Sequence, residues 1–280
     1  MDKENRSNFP VVDLDAYSPE KVVDRVMDVG AKKVRLAFFK TFILGLVGGG
    51  YIALGTLYQV VVMANPDISS TMAAIFSPIF YVMGYMLAFI TGAEIFTSNN
   101  LTVMSYASGA VRLWEIIRNW AIVLVSNILG SIFMATMFFY SGQAQMYDGV
   151  LAESILSVTS KKLDYSALEF FFLGVFGNLL ICAGVWLAMA GRSLTDKILG
   201  LLLPISAVPA IGFQHSVGNM FHFSTSFFLL GGYPGVELAT EITLAKVMTS
   251  LAMVSAGNIV GGAGLIGITY YLIYVRGKLF

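Results

Sequence analysis

Long apolar runs alternate with short polar interruptions along this chain. Apolar runs of roughly 20 residues match the hydrocarbon thickness of a bilayer. Six of them predict crossing helices over residues 41–63, 70–91, 120–140, 168–190, 198–211 and 243–274. The second and fifth are cut by polar stretches. The first cut is Thr91-Gly92-Ala93-Glu94-Ile95-Phe96-Thr97-Ser98-Asn99-Asn100. The second, 120 positions later, is Gly212-Phe213-Gln214-His215-Ser216-Val217-Gly218-Asn219. Shorter apolar pieces follow at 101–107 and 221–230. An acid, an amide, a histidine and glycines at that depth are costly unless they line a cavity. Paired breaks in corresponding halves of a membrane protein point to a solute path. The pattern predicts an all-α membrane protein with six spans, of which helices 2 and 5 are broken.

The chain also repeats itself. Leu44-Gly45-Leu46-Val47-Gly48 echoes Leu173-Gly174-Val175-Phe176-Gly177, and Asn127-Ile128-Leu129-Gly130 echoes Asn258-Ile259-Val260-Gly261. With the two breaks, that makes three correspondences at offsets of 120 to 131 positions. Three spans per half is an odd number, so the second half must be inverted relative to the first. Small residues such as Gly45, Gly48, Gly174, Gly177 and Gly261 let such helices approach closely.

Composition agrees with this reading. The 280 residues are 57% hydrophobic and 12% charged, about half the charged fraction of a soluble domain. A net charge of zero gives no argument for nucleic acid. The single cysteine, Cys182, excludes an internal disulfide and a multi-thiolate metal site. The polar, acidic stretch 1–20 predicts no cleavable signal peptide.

With both termini inside, 3 of the 17 basic residues fall on the outer side, namely Lys161, Lys162 and Lys246. The positive-inside rule therefore predicts a multi-pass protein of the cell (inner or plasma) membrane with cytoplasmic termini. Residues 1–40 form a cytoplasmic segment, 41–276 the membrane domain with halves at 41–140 and 165–276, and 277–280 a cytoplasmic tail. Within the first segment, Ser18 and Pro19 mark a helix start. Val22, Val23, Val26, Val29 and Val34 recur at near-helical spacing. The amphipathic helix they predict either lies at the membrane interface or packs on the membrane domain.

His215 is the sharpest candidate for chemistry, because imidazole titrates near neutral pH and passes a proton readily. Its rival role is a neutral ring hydrogen-bonded inside the helix break. Thr97 either gates the path and hydrogen-bonds the solute or, with Ser98, caps the following half-helix; the two are compatible. Glu94 and Gln214 occupy equivalent places at the breaks beside Gly92 and Gly212. A carboxylate there binds a cation or a proton, or accepts N–H groups of its own broken backbone. Asn127 and Asn258 suit interhelical bonds. Lys162 either attracts anions at the outer mouth or snorkels. His222, between Phe221 and Phe223, reads as interfacial packing, and Tyr81 and Tyr85 as pore lining or packing. No catalytic set, phosphate loop, metal-ligand cluster or cofactor motif stands out, so an enzyme is not expected.

Four segments together resemble the formate/nitrite transporter family. They are Gly92-Ala93-Glu94-Ile95-Phe96-Thr97-Ser98-Asn99, Gly177-Asn178-Leu179-Leu180-Ile181-Cys182, Gly191-Arg192-Ser193-Leu194-Thr195-Asp196-Lys197 and Gly212-Phe213-Gln214-His215-Ser216-Val217-Gly218-Asn219-Met220-Phe221. Asn258-Ile259-Val260-Gly261-Gly262 extends the match, which runs over residues 18–276. The resemblance implies an aquaporin-like protomer in a homopentamer, embedded in lipid, with one path per protomer for a small monovalent anion such as formate, nitrite or hydrosulfide. It implies His215 as the central histidine, Thr97 as gate, Lys162 as outer lysine, and Asn219 and Asn258 as the paired asparagines of the pathway. The constrictions then fall at Tyr81, Tyr85, Ile95, Phe96 and Val208. Tyr81, Tyr85, Val208 and Gln214 depart from the residues common in the family, where phenylalanine, leucine, phenylalanine and glutamate are usual. The expected function is an anion channel or transporter, for formate or nitrite, with proton exchange at His215. The rivals are a hydrosulfide channel, a water- or glycerol-type pore, and a membrane receptor or scaffold.

Overall fold

The computed structural model describes residues 15–233 and 235–279. Lys3 and Arg6 of the N-terminal segment lie outside the described residues, as does Phe280 at the chain end. Among the described residues, six helices are long and apolar enough to cross a membrane. They are α2 (Phe38–Ala64), α3 (Ser70–Thr91), α5 (Leu113–Tyr140), α7 (Ala167–Ala190), α8 (Leu194–Ile211) and the run Leu244–Tyr274. That run comprises α10 (Leu244–Ile259), a π-helical segment (Val260–Ile268) and α11 (Thr269–Tyr274). Between them lie α1 (Pro19–Val34), a 3-10 turn (Ser98–Thr102) leading into α4 (Val103–Ala107), α6 (Val150–Lys162) and α9 (Ser216–Leu229).

Several helices begin earlier than their apolar runs, for a local reason. Helix α8 starts at Leu194 because Ser193 and Asp196 form a capping box: Asp196 N donates to Ser193 Oγ at 3.1 Å and Ser193 N to Asp196 Oδ2 at 2.9 Å. Helix α7 opens on the same device with Ser166 and Glu169. The first turns of α5 carry Glu115 and Arg118, so its polar start is invisible to an apolar-run criterion. The sixth span departs from a plain α-helix over Val260–Ile268. Gly261, Gly262, Gly264 and Gly267 fall in this stretch, where glycine weakens the regular α ladder and admits wider i→i+5 turns.

Packing follows the repeat. In one half α2 lies against α3 and α5; in the other α7 lies against α8 and α10. The halves meet where α3 packs on α8 and α5 on α9. The helix α1 does not lie free. Val22, Val23 and Val26 are buried in the same apolar cluster as Tyr85, Ile95 and Leu201. Tyr17, just before it, donates its backbone N–H to Ala190 O at 2.9 Å, and its ring is flanked by the guanidiniums of Arg25 and Arg192, each 4.2 Å from the centroid. The expected apolar face is real except at Val29, which is exposed because it faces a cavity rather than a helix.

Candidate functional site

Both breaks begin with a glycine that ends a helix in the left-handed region, Gly92 at φ 78° and Gly212 at φ 89°. A Cβ would meet no atom within 4 Å at either place, so the backbone angle, not crowding, requires glycine. Beyond them the chain leaves the helix for a few residues and loses its helical hydrogen bonds. At bilayer depth these groups need partners.

Two asparagines supply them in matching fashion. Asn127 on α5 donates through Nδ2 to Gly45 O (2.7 Å) and Glu94 O (2.9 Å), and its Oδ1 accepts from Phe96 N (2.9 Å). Asn258 on α10 donates to Gly174 O (2.7 Å) and Gln214 O (3.2 Å) and accepts from Ser216 N (3.0 Å). Glu94 N to Leu44 O (3.0 Å) and Gln214 N to Leu173 O (3.2 Å) complete the correspondence. Asn178 on α7 links the halves, donating to Thr97 O (3.2 Å), Asn100 Oδ1 (2.8 Å) and Asn258 O (2.7 Å).

Each break then carries a lysine. On one side Lys33 of α1 reaches Glu94 Oε1 at 3.2 Å and Asn99 Oδ1 at 2.9 Å, while Asn99 Nδ2 donates to Glu94 Oε2 at 2.5 Å. On the other, Lys162 at the end of α6 reaches Gln214 Oε1 at 3.5 Å and Asn219 Oδ1 at 3.2 Å, while Asn219 Nδ2 donates to Gln214 Oε1 at 2.8 Å. The two clusters differ in charge. Lys33 is neutralised by a carboxylate and Lys162 faces two amides. Burial pulls the Lys162 ammonium down to about 8, so its charge is present at neutral pH and is lost as pH rises through that value.

His215 stands between the clusters as the N-cap of α9. Gly218 N donates to its Nδ1 at 2.9 Å, so Nδ1 accepts and the neutral ring carries its proton on Nε2. Nε2 lies 2.5 Å from Tyr85 Oη and 2.7 Å from Thr97 Oγ1, and these two hydroxyls are 3.4 Å apart. Tyr81 Oη is 3.0 Å from Nδ1. A cavity of about 270 Å³ opens on one side of this knot, lined by Lys33, Tyr85, Ile95 and Val29 among others. A smaller one of about 20 Å³ lies on the other, lined by Tyr81, Lys162, Val208, His215, Asn219 and His222. The Tyr85–His215–Thr97 contact closes the way between them.

Several expected positions come out differently. The Thr97 hydroxyl does not cap the following turn; it turns to His215. Glu94 pairs with Lys33 and Asn99 rather than with its own backbone, because Asn127 already serves that backbone. Asn258 spends its side-chain bonding on the break and on Gly174 O of α7, and lines neither cavity. Phe96 packs edge-on to Trp120, centroids 6.4 Å apart. Ile95 lines the cavity, and Phe96 turns to the helix behind it. His222 is buried and lines the smaller cavity instead of packing at the interface. Lys33 is the site residue that sequence reasoning misses, although it precedes Lys162 by 129 positions, the same spacing as Gly45 to Gly174.

A model described as formate/nitrite transporter matches residues 20–272, nearly the whole chain. The chain belongs to the formate/nitrite transporter family. Similar proteins include the formate channel FocA of Haemophilus influenzae, 30% identical over 264 residues covering 90% of this chain and 93% of that one. The formate channel FocA of Escherichia coli is 29% identical over 274 residues, covering 94% and 96%. A solved structure described as a pentameric formate channel with formate bound superposes with a TM-score of 0.76 at 30% identity, over 85% of this chain and 98% of that one. A structure described as an FNT family ion channel has the same fold, with a TM-score of 0.80 at 22% identity over 90% and 98%. Members of this family are channels or transporters, and the six membrane-capable helices make this chain a multi-pass membrane protein. Its six membrane-capable helices share the fold of the solved formate channel, and two tyrosines stand against His215.

Proposed function

We propose that the protein moves a small monovalent anion, formate or nitrite, across the cell membrane along the line of the two cavities, with proton exchange at His215. The single observation that carries this reading is the closed knot of Nε2, Tyr85 Oη and Thr97 Oγ1 between two cavities, each flanked by a lysine. A bare charge at the bilayer centre costs at least about 2.5–3.5 kcal/mol. Lys162, which no carboxylate among the described residues neutralises, gathers the anion on its side. His215, once it has taken up a proton from water to become imidazolium, gives its Nε2 proton to the anion at the narrowest point and returns to the neutral ring. Thr97 and Tyr85 part to let it through. The protomer assembles as a homopentamer with both termini cytoplasmic, a reading supported by the pentameric relative and by the distribution of lysine and arginine.

A second reading, hydrosulfide conduction, is favoured by the 20 Å³ of the smaller cavity, which suits an occupant with one heavy atom. Purified protein in liposomes, assayed side by side for formate, nitrite and hydrosulfide flux, tests both. Formate or nitrite crossing well above protein-free liposomes is the expected result. Hydrosulfide alone crossing selects the second reading, and failure of all three overturns anion transport.

A further inference from the structure

An imidazolium carries a proton on both ring nitrogens, and the surroundings of His215 Nδ1 oppose the second one. Gly218 N–H points at Nδ1 from 2.9 Å. A backbone N–H donates and never accepts, so it has no lone pair to offer a new Nδ1–H. Lys162 lines the same small cavity and adds like-charge repulsion, and no carboxylate is among the residues lining that cavity.

Tyr81 supplies what Gly218 lacks. It is buried, it lines the small cavity, and its Oη lies 3.0 Å from Nδ1. A hydroxyl donates and accepts alike. Against the neutral ring the Tyr81 hydroxyl is a second donor to Nδ1, and against the imidazolium it is an acceptor for Nδ1–H. A phenylalanine ring is neither. Gly218 is fitted to the same hydroxyl. Its φ is not in the left-handed region, so its backbone angle does not require glycine. A Cβ there would lie 2.6 Å from Tyr81 Oη and 3.2 Å from His215 Nδ1, so any larger residue pushes the hydroxyl off the ring. Two helices, α3 and α9, thus cooperate to keep one hydroxyl on one nitrogen.

We propose that Tyr81 is a positioning residue for proton exchange: its hydroxyl, given room by Gly218, lets His215 hold a second proton at Nδ1. The proposal rests on the proton-exchange reading above. In the step, the Tyr81 hydroxyl proton passes to Nδ1 as Oη takes a proton from water in the small cavity. The Gly218 N–H contact is given up, and Oη is left accepting from Nδ1–H. Nε2–H then goes to the anion, which leaves a neutral ring protonated at Nδ1. When Nε2 is protonated again and Nδ1 returns its proton through Tyr81, the resting tautomer is restored. The other titratable groups around the ring, among the described residues, are Tyr85 at Nε2, Lys162 and His222 on the small cavity, and Cys182, whose thiol meets Thr97 O at 3.6 Å. Lys33 lines the wide cavity, paired with Glu94.

The test is formate uptake by the full-length protein in liposomes, followed across external pH to give the midpoint of its rise toward acid. A hydrogen bond to the imidazolium favours the charged ring, so losing it moves that midpoint to lower pH. Tyr81→Phe is expected to shift it down by about one unit, the loss of one hydrogen bond to a charged group, with uptake below the midpoint within about twofold of wild type. Gly218→Ala should shift it in the same direction, and the double variant no further than Tyr81→Phe alone. In a His215→Phe background, Tyr81→Phe should have no effect on the pH profile. A shift that persists there belongs to Lys162 or His222 and overturns the proposal. So does an unchanged midpoint in Tyr81→Phe, or an equal loss of uptake at every pH. Should Gly218→Ala fail to assemble, Tyr81→Phe with and without His215 decides. Wild-type uptake that does not vary with pH instead overturns the proton-exchange reading, and this proposal with it. Absence of formate uptake at any pH overturns the transport reading beneath both.

Discussion

Around His215 three hydroxyls and one backbone N–H compete for two ring nitrogens. The backbone settles the competition at Nδ1, because Gly218 N–H is a donor and nothing else. Nε2 is then the ring position that faces the closure. Tyr85 contributes a hydroxyl at Nε2 where a purely apolar side chain would contribute none, and on the proposed path that hydroxyl is the hydrogen bond offered to the solute at the closure. Tyr85→Phe is expected to lower anion uptake about fivefold, the worth of one ordinary hydrogen bond of about 1 kcal/mol, with the assembly of the protein unchanged. Uptake equal to wild type would show that the Tyr85 hydroxyl plays no part in passage. The residue types are legible in the sequence, including the two tyrosines. Their convergence on His215 across 130 and 134 positions is not, since it depends on how α3 and α8 pack together.

The breaks are legible as elements because polar residues are too costly inside a crossing helix to sit there without a cavity or a partner. What holds them is half legible. The repeated Asn-Ile-x-Gly segments point to Asn127 and Asn258, and each does brace the break of its own half with three hydrogen bonds. Replacing either by leucine leaves one N–H and one carbonyl of the break without partners, and removes a second acceptor contact at a helical carbonyl of α2 or α7. Each unsatisfied group costs about 1–3 kcal/mol, and more where no water can enter. Asn127→Leu and Asn258→Leu should therefore lower the thermal stability of the detergent-solubilised oligomer by similar amounts, as read by the melting temperature. A large loss at one and none at the other would contradict their equivalence. The role of Glu94 is hidden in the sequence for a related reason: its partner, Lys33, comes from a helix outside the six spans.

At the scale of the molecule, the two halves repeat the lysine, the break, the bracing asparagine and the close glycine contacts, but not the charge at Glu94 and Gln214. Nor do they repeat the central groups, since one break delivers Thr97 and the other His215. A repeat in sequence thus becomes an asymmetric site, in contact where the two unlike halves touch. The six-span fold is readable from the length of the apolar runs. The sequence leaves two places open for α1, and its buried valines decide for packing against the wider cavity.

The central claim is that the anion crosses by exchanging a proton at His215. It is tested most directly by formate uptake into liposomes with a pH-sensitive dye inside, comparing wild type with His215→Phe across external pH. Wild-type uptake should carry protons inward and steepen as external pH falls, and the variant should lose that pH dependence. Unchanged pH-dependent flux in His215→Phe would contradict the account.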